Sequence, residues 1–154
     1  MWSLKRNEVP PVIIGYTAGV FDLFHIGHLN LLRNARSMCD RLIVGVSTDE
    51  LVSYKGKKPV IPFCDRIEIV RNLRCVDAVV AQENMDKLEM CKKLKASVMF
   101  VGDDWYKHPR WEEYETEFQA NNIQIVYFPR TRGVSSTQIS RALTHLRMEM
   151  PYDH

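Results

Sequence analysis

Five runs of mostly consecutive apolar residues punctuate the chain: VIIGYT at 12–17, RLIVGVS at 41–47, DAVVA at 77–81, SVMFVG at 97–102 and IQIVYF at 123–128. Such runs, bounded by turn-forming residues, are expected of strands buried on both faces of a parallel sheet. Between them, apolar positions three or four apart predict helices over 27–37, 65–73, 86–95, 110–120 and 136–146. Five strands alternating with helices predict an α/β fold, a doubly wound five-stranded parallel sheet with helices on both faces. Sheets of this kind bind ligands beyond the carboxyl ends of their strands, where the strand order reverses. The polar clusters AGVFDLFHIGH, STDE, GDDW and PRTRGVSST follow the first, second, fourth and fifth strands. Four strand ends are therefore expected to face one crevice. Residues 1–11, ending in Pro10 and Pro11, read as an extended lead-in, 12–146 as a single domain and 147–154 as a tail.

Composition narrows the function classes. At 154 residues the chain is long enough for one domain with a proper core, and 45% apolar with 26% charged residues is globular composition. The formal net charge of +2 supplies no overall field to recruit nucleic acid or a membrane, so any basic site is local. No apolar run approaches the roughly 20 residues of a membrane span, and MWSLKRNEVPP lacks the apolar segment of a signal peptide. The four cysteines, Cys39, Cys64, Cys75 and Cys91, form no CxxC pair and read as reduced thiols of a cytoplasmic protein.

Candidate chemistry concentrates in two of the polar clusters. His25 is expected at the mouth of the first helix and His28 in its first turn, where free N–H groups and the helix dipole suit a phosphate. Gly27 lets a ligand approach the backbone, and two imidazoles there can donate hydrogen bonds as charge builds on phosphoryl oxygens. The rival reading is a metal site, but zinc needs a third ligand and a HExxH or Cys-rich spacing, so no stoichiometric zinc is expected. In RTRGVSST, Ser135 can cap the last helix with Gln138 completing a capping box. A helix start alone explains that pattern. Arg130 and Arg132 beside a glycine turn, and three consecutive hydroxyls, add a second anion cradle on the same crevice. Two such cradles suggest a triphosphate stretched between them. Most runs like YKGKKP are merely solvated surface, but its placement near the crevice makes Lys55 and Lys57 candidates to neutralise phosphates. GDDW offers two carboxylates and an indole after the fourth strand, or simply a helix-capping turn. Periodicity assigns no role to Arg66, Arg74 or Lys87.

Taken together, GVFDLFHIGH, YKGKKP, RCVDAVV, GDDW and RTRGVSST, in this order and spacing, resemble the cytidylyltransferase branch of the nucleotidyltransferase superfamily. The chain is most similar to the glycerol-3-phosphate cytidylyltransferases, over about residues 12–146. The resemblance implies a Rossmann-like fold and a CTP-dependent transfer of CMP to a small phosphorylated alcohol, with Mg²⁺ carried mainly by the triphosphate. It implies that His25, His28, Lys55 and Arg130 act in the chemistry. By the same resemblance, Val20, Phe21, Lys57, Asp104, Trp105, Thr131, Gly133, Ser135, Ser136 and Thr137 hold the nucleotide. Lys55 and Lys87 meet the acceptor phosphate, and Arg74 lies near the interface of a homodimer. The chain departs from the pattern at Val20, where threonine is usual, and at Arg132, where an acidic residue is common. It departs again in YKHPRWEEYE after GDDW, a segment expected to bear on the acceptor. An adenylyltransferase using ATP and a nucleotide-binding module without turnover are the rival readings; a tRNA synthetase is excluded by size and by the lack of a KMSKS-like loop.

Overall fold

Leu42, Val44 and Val46 project to one face of the central sheet and Ile43 to the other, as the two-residue period of a strand dictates. The structure is a computed structural model; it describes the backbone of residues 9–149 and the side chains of residues 9–146. Five strands, β1 (Ile14–Gly19), β2 (Arg41–Ser47), β3 (Ala78–Gln82), β4 (Val98–Gly102) and β5 (Gln124–Phe128), form one parallel sheet in the order β3-β2-β1-β4-β5. Helices α1 (Ile26–Ser37) and α3 (Phe63–Arg71) pack Leu32, Ala35 and Val70 against the first face. On the second face, α4 (Lys87–Leu94) and α5 (Trp111–Ala120) contribute Cys91 and Phe118. The doubly wound sheet expected from the apolar runs is thus present. Its order reverses between β1 and β4, and the crevice opens there.

Local chemistry moves some boundaries. β1 begins at Ile14 rather than at residue 12, because Val12 and Ile13 are exposed. Ile13 is instead tied to the start of β2, donating its N–H to the Asp40 carboxylate at 2.7 Å and accepting from the Asp40 and Arg41 N–H groups. The third helix starts at Phe63, two residues earlier than predicted, with Pro62 at its N-cap supplying a suitable fixed φ of −64°. A helix absent from the sequence reading, α2 (Asp49–Tyr54), follows β2, and Thr48 caps it by accepting the Leu51 N–H at 3.2 Å. The STDE cluster is therefore a helix start rather than a wall of the crevice. The last helix, α6 (Ser136–Glu149), continues past the boundary expected at 146. The expectations for residues 1–8 and 150–154 lie outside the described residues. Among the described residues no helix is long and apolar enough to cross a membrane, and the four cysteines are free thiols.

Candidate active site

His25 is the N-cap of α1 and accepts the Gly27 N–H at Nδ1, 3.0 Å away. His28 returns the bond, accepting the His25 N–H at its own Nδ1 at 3.3 Å. The spacing His-x-Gly-His is thus a capping box built from imidazoles. Because both Nδ1 atoms accept, each neutral ring carries its proton on Nε2. That N–H is the donor left for a ligand. The rings stack with centroids 3.8 Å apart. Gly27 lines the crevice and has a further use: a Cβ there would lie 2.8 Å from His25 Cε1, so glycine also makes room for the capping ring.

Phe21 and Phe24 flank His28, at 5.4 and 5.2 Å between centroids. Burial, with a smaller contribution from His25, lowers the His28 pKa to about 4, and Asp22 opposes the shift only in part. Burial also lowers His25. The unfolded chain binds a proton at His28 below about pH 6.5, whereas the fold does not bind one until about pH 4. Stability present above pH 6.5 is therefore expected to be lost as pH falls through that window, by up to roughly 3 kcal/mol. His28→Gln keeps an acceptor for the His25 N–H and cannot titrate. Denaturant midpoints should fall between pH 7 and 4.5 more steeply for the wild type than for His28→Gln; parallel slopes would mean that His28 titrates normally in the fold.

The second helix start lies opposite. Ser135 accepts the Gln138 N–H at 3.1 Å, the expected cap of α6. Ser136 donates its hydroxyl to the Asp22 carbonyl at 2.5 Å, joining the two helix starts, and Asn30 of α1 donates to the Thr131 hydroxyl at 3.1 Å. Gly133 turns the chain with φ +80°, a conformation that favours glycine. Across the mouth, Arg130 pairs with Asp104 at 2.7 Å.

These groups line a crevice of about 770 Å³, within the range of small-molecule sites. Of the expected site residues, Val20, Phe21, His25, His28, Lys57, Lys87, Asp104, Trp105, Arg130, Thr131, Ser135, Ser136 and Thr137 line it. Lys55 and Gly133 do not. Lys55 is the exposed C-cap of α2, close enough for its charge to act on Lys87, and Gly133 forms the turn before α6. Arg132 is also off the wall. The lining carries five cations, Lys57, Lys58, Lys87, Arg130 and Arg141, against the carboxylates of Asp22 and Asp104. Asp104 is held by Arg130, and Asp22 accepts the Val60 and Ile61 N–H groups at 2.8 and 2.9 Å. The crevice lining therefore carries an excess of positive charge.

Lys87, which periodicity left without a role, stands in the first turn of α4 with its ammonium 4.8 Å from the centre of the Trp105 ring. Burial and the neighbouring Lys55 bring its pKa down to about 8, although Asp104 opposes the shift. A cation in a helix's first turn opposes the helix dipole, a local conflict of the kind found at functional or strained positions. The departing segment after GDDW packs mostly elsewhere. Residues 103–107 form a short 3₁₀ helix. Trp105 meets His108 and Tyr114, Tyr106 stacks on Tyr127 of β5, and among residues 105–114 only Trp105 lines the crevice.

Asp22, Lys58 and Arg141 of the lining, and the buried Arg66 outside it, escaped the sequence reading. Asp22 stands inside the histidine motif, and its clamp on the lysine loop runs through backbone contacts that spacing does not show. Arg141 lies on α6 one turn beyond the predicted cradle. Arg66 is fully buried; the available signal was its place four residues before Val70, on the apolar stripe of its helix.

Two joined helix starts at the switch point of a parallel sheet form an arrangement that suits a nucleotide-handling transferase. The defining pattern of the cytidylyltransferase-like family matches residues 16–142, and the chain belongs to that family. It is 35% identical over 131 residues to glycerol-3-phosphate cytidylyltransferase from Bacillus spizizenii, covering 84% of this chain and 96% of that one. It is also 36% identical over 133 residues to FAD synthase from Korarchaeum cryptofilum, covering 84% and 90%. The lipopolysaccharide core biosynthesis protein from Thermoplasma volcanium shares the fold, with a TM-score of 0.67 at 23% identity over 79% of this chain and 98% of that one.

Proposed function

We propose that the protein transfers CMP from CTP to a small phosphorylated alcohol, such as glycerol 3-phosphate, and releases pyrophosphate. The observation that carries this reading is the joined pair of helix N-termini, α1 and α6, on one crevice whose unpaired charge is positive. An oxygen of the acceptor phosphate attacks the α-phosphorus of CTP. The bond from that phosphorus to the bridging oxygen breaks, and the electron pair leaves with pyrophosphate. The acceptor phosphate is already ionised at neutral pH, so the site needs positioning and charge stabilisation rather than a strong base.

Each residue then has a physical task. Nε2–H of His25 and His28 donates to phosphoryl oxygens, Arg130 exchanges Asp104 for phosphate, and the hydroxyls of Thr131, Ser135, Ser136 and Thr137 hold the triphosphate. Val20, Phe21, Asp104 and Trp105 border the nucleoside, and Gly133 shapes the loop. Lys87 receives the acceptor phosphate. Lys55, whose charge is felt at Lys87, approaches the same oxygens, and Lys57 lies beside it. Magnesium fits this donor set only as a passenger. Among the described residues no three His, Cys, Asp or Glu side chains cluster to hold a metal, so phosphates and water would supply its ligands. When bound it neutralises charge on the departing pyrophosphate. A homodimer with the exposed Arg74 near its interface belongs to the same proposal.

The likeness to an FAD synthase favours a second reading, adenylyl transfer from ATP. Pyrophosphate release tests both. It is expected with CTP only when a phospho-alcohol is present, and little is expected with ATP. Faster release with ATP than with CTP, across the same acceptors, would replace the first reading by the second.

A further inference from the structure

Arg66 is the largest fully buried side chain in the described structure, and an arginine is rarely fully buried unless paired. Its guanidinium joins segments that are far apart in sequence. Nε donates to the Ile61 carbonyl at 2.8 Å. Nη1 donates to the Val20 carbonyl at 2.6 Å and the Ser47 carbonyl at 2.8 Å, and Nη2 pairs with Asp49 at 2.7 Å. The acceptors thus lie in the histidine loop, at the end of β2, in the loop that follows the lysines and in the first turn of α2. Arg66 also faces the Phe63 ring at 5.8 Å.

Two details raise this above ordinary burial. Ile61 is gripped from both sides, its carbonyl by Arg66 and its N–H by Asp22 of the histidine loop. Val20 is followed by Phe21 at φ +54°, a left-handed conformation that costs a residue other than glycine. The bond from Arg66 to the Val20 carbonyl holds the chain just where that turn begins. Lysine could not reproduce the arrangement, since an ammonium has three donors at one point and lacks the planar fork.

We infer that Arg66 is a positioning residue: through the Val20 and Ile61 carbonyls it fixes the loop carrying Lys57 and Lys58 against the histidine loop. It touches no ligand itself and sets the distance between the two halves of the site. This inference rests on the transfer activity proposed above. A shift on the order of 1 Å in a positioned group costs roughly 10²-fold in rate, so the expected signature lies in turnover rather than in nucleotide affinity.

The test is Arg66→Lys, measured well below its melting temperature by steady-state kinetics and by amide hydrogen exchange. Turnover should fall by roughly 10- to 100-fold, with KM for CTP nearly unchanged, because the caps of α1 and α6 are intact. The Val60 and Ile61 amides should exchange faster while those of Val44 and Val46 keep their protection. A Phe118→Leu variant, destabilised on the opposite face of the sheet, should keep normal turnover. Normal turnover in a folded Arg66→Lys protein, or unchanged exchange at residues 60 and 61, would overturn the inference. If Arg66→Lys does not fold, Asp49→Asn decides by the same two readouts, since it removes the guanidinium's carboxylate partner and leaves the arginine in place. Should the wild type transfer no nucleotide, the proposed activity is what fails, and the exchange data still decide whether the clamp exists.

Discussion

Replacing His28 by alanine is expected to lower turnover by roughly 10²–10³-fold, the scale for losing one preorganised donor to a transition state. KM for CTP should change far less. The asymmetry follows from the capping box. In the resting protein the His28 ring is held by the His25 N–H and packed between Phe21 and Phe24. Its position therefore needs no reorganisation when charge develops on the phosphoryl oxygens. Its lowered pKa keeps the ring neutral at pH 7, with Nε2 as the donor. On the proposed reading the ground-state triphosphate keeps the N–H groups at the start of α6, Arg130 and the hydroxyls of the last loop, so binding is expected to survive the substitution. Losing one half of the cap costs about 1 kcal/mol of stability, which is too little to unfold a domain of ordinary stability. A His28→Ala enzyme with near-normal turnover would remove the histidine pair from the chemistry.

The largest expected loss of stability comes from Gly45→Ala, a change of one methyl group. Tyr16 of β1 lies across β2 at Gly45, and its hydroxyl donates to the Gln82 side chain on β3. Both ends of this pair are buried. A Cβ on residue 45 would collide with the phenol oxygen and lie 2.8 Å from the ring carbon that bears it. Either the strands move apart or the phenol leaves its partner. Overpacking costs about 1–3 kcal/mol and an unsatisfied buried polar group about as much again. A total near 3 kcal/mol corresponds to a fall in Tm of roughly 6–12 °C for a chain of this size. Tyr16→Phe in the same background removes the worst contact, so the double variant should be more stable than the sum of the single effects. Simple additivity, or a Gly45→Ala protein as stable as the wild type, would show that the tyrosine does not cross at that point. The pair also reaches the site, because Gln82 donates to the Asn84 carbonyl at 2.8 Å in the loop that leads to Lys87.

The contrast between His28 and Arg66 shows what the chain reveals before it is folded. The five strands were readable because strands buried on both faces must be apolar almost throughout, and that constraint is local. The helix starts at His25 and Ser135 were readable for the same reason: a cap acts on N–H groups two or three residues away. Helix α2 was not readable, since six residues are too few to establish a helical period. Arg66 was hidden differently. Its four partners come from segments whose meeting depends on the whole sheet being assembled, and a single cation on a helix ordinarily faces solvent. Lys55 and Gly133 show the converse, for their places in recognised motifs put them near the crevice while the fold keeps them off its wall. The acceptor stayed illegible. The segment expected to distinguish it stacks mostly upon itself and on Tyr127, and only its Trp105 reaches the crevice.

In this crevice the α-phosphoryl group of CTP is expected to pass to an acceptor phosphate. Incubating the protein with CTP labelled at the α-phosphorus, magnesium and glycerol 3-phosphate measures that transfer directly. The label is expected in a phosphatase-resistant diester product that appears with glycerol 3-phosphate and not with glycerol, with one unlabelled pyrophosphate released for each label transferred. Label that stays in CTP across the range of small phospho-alcohols, while ATP labelled at the same position yields the product, would contradict it.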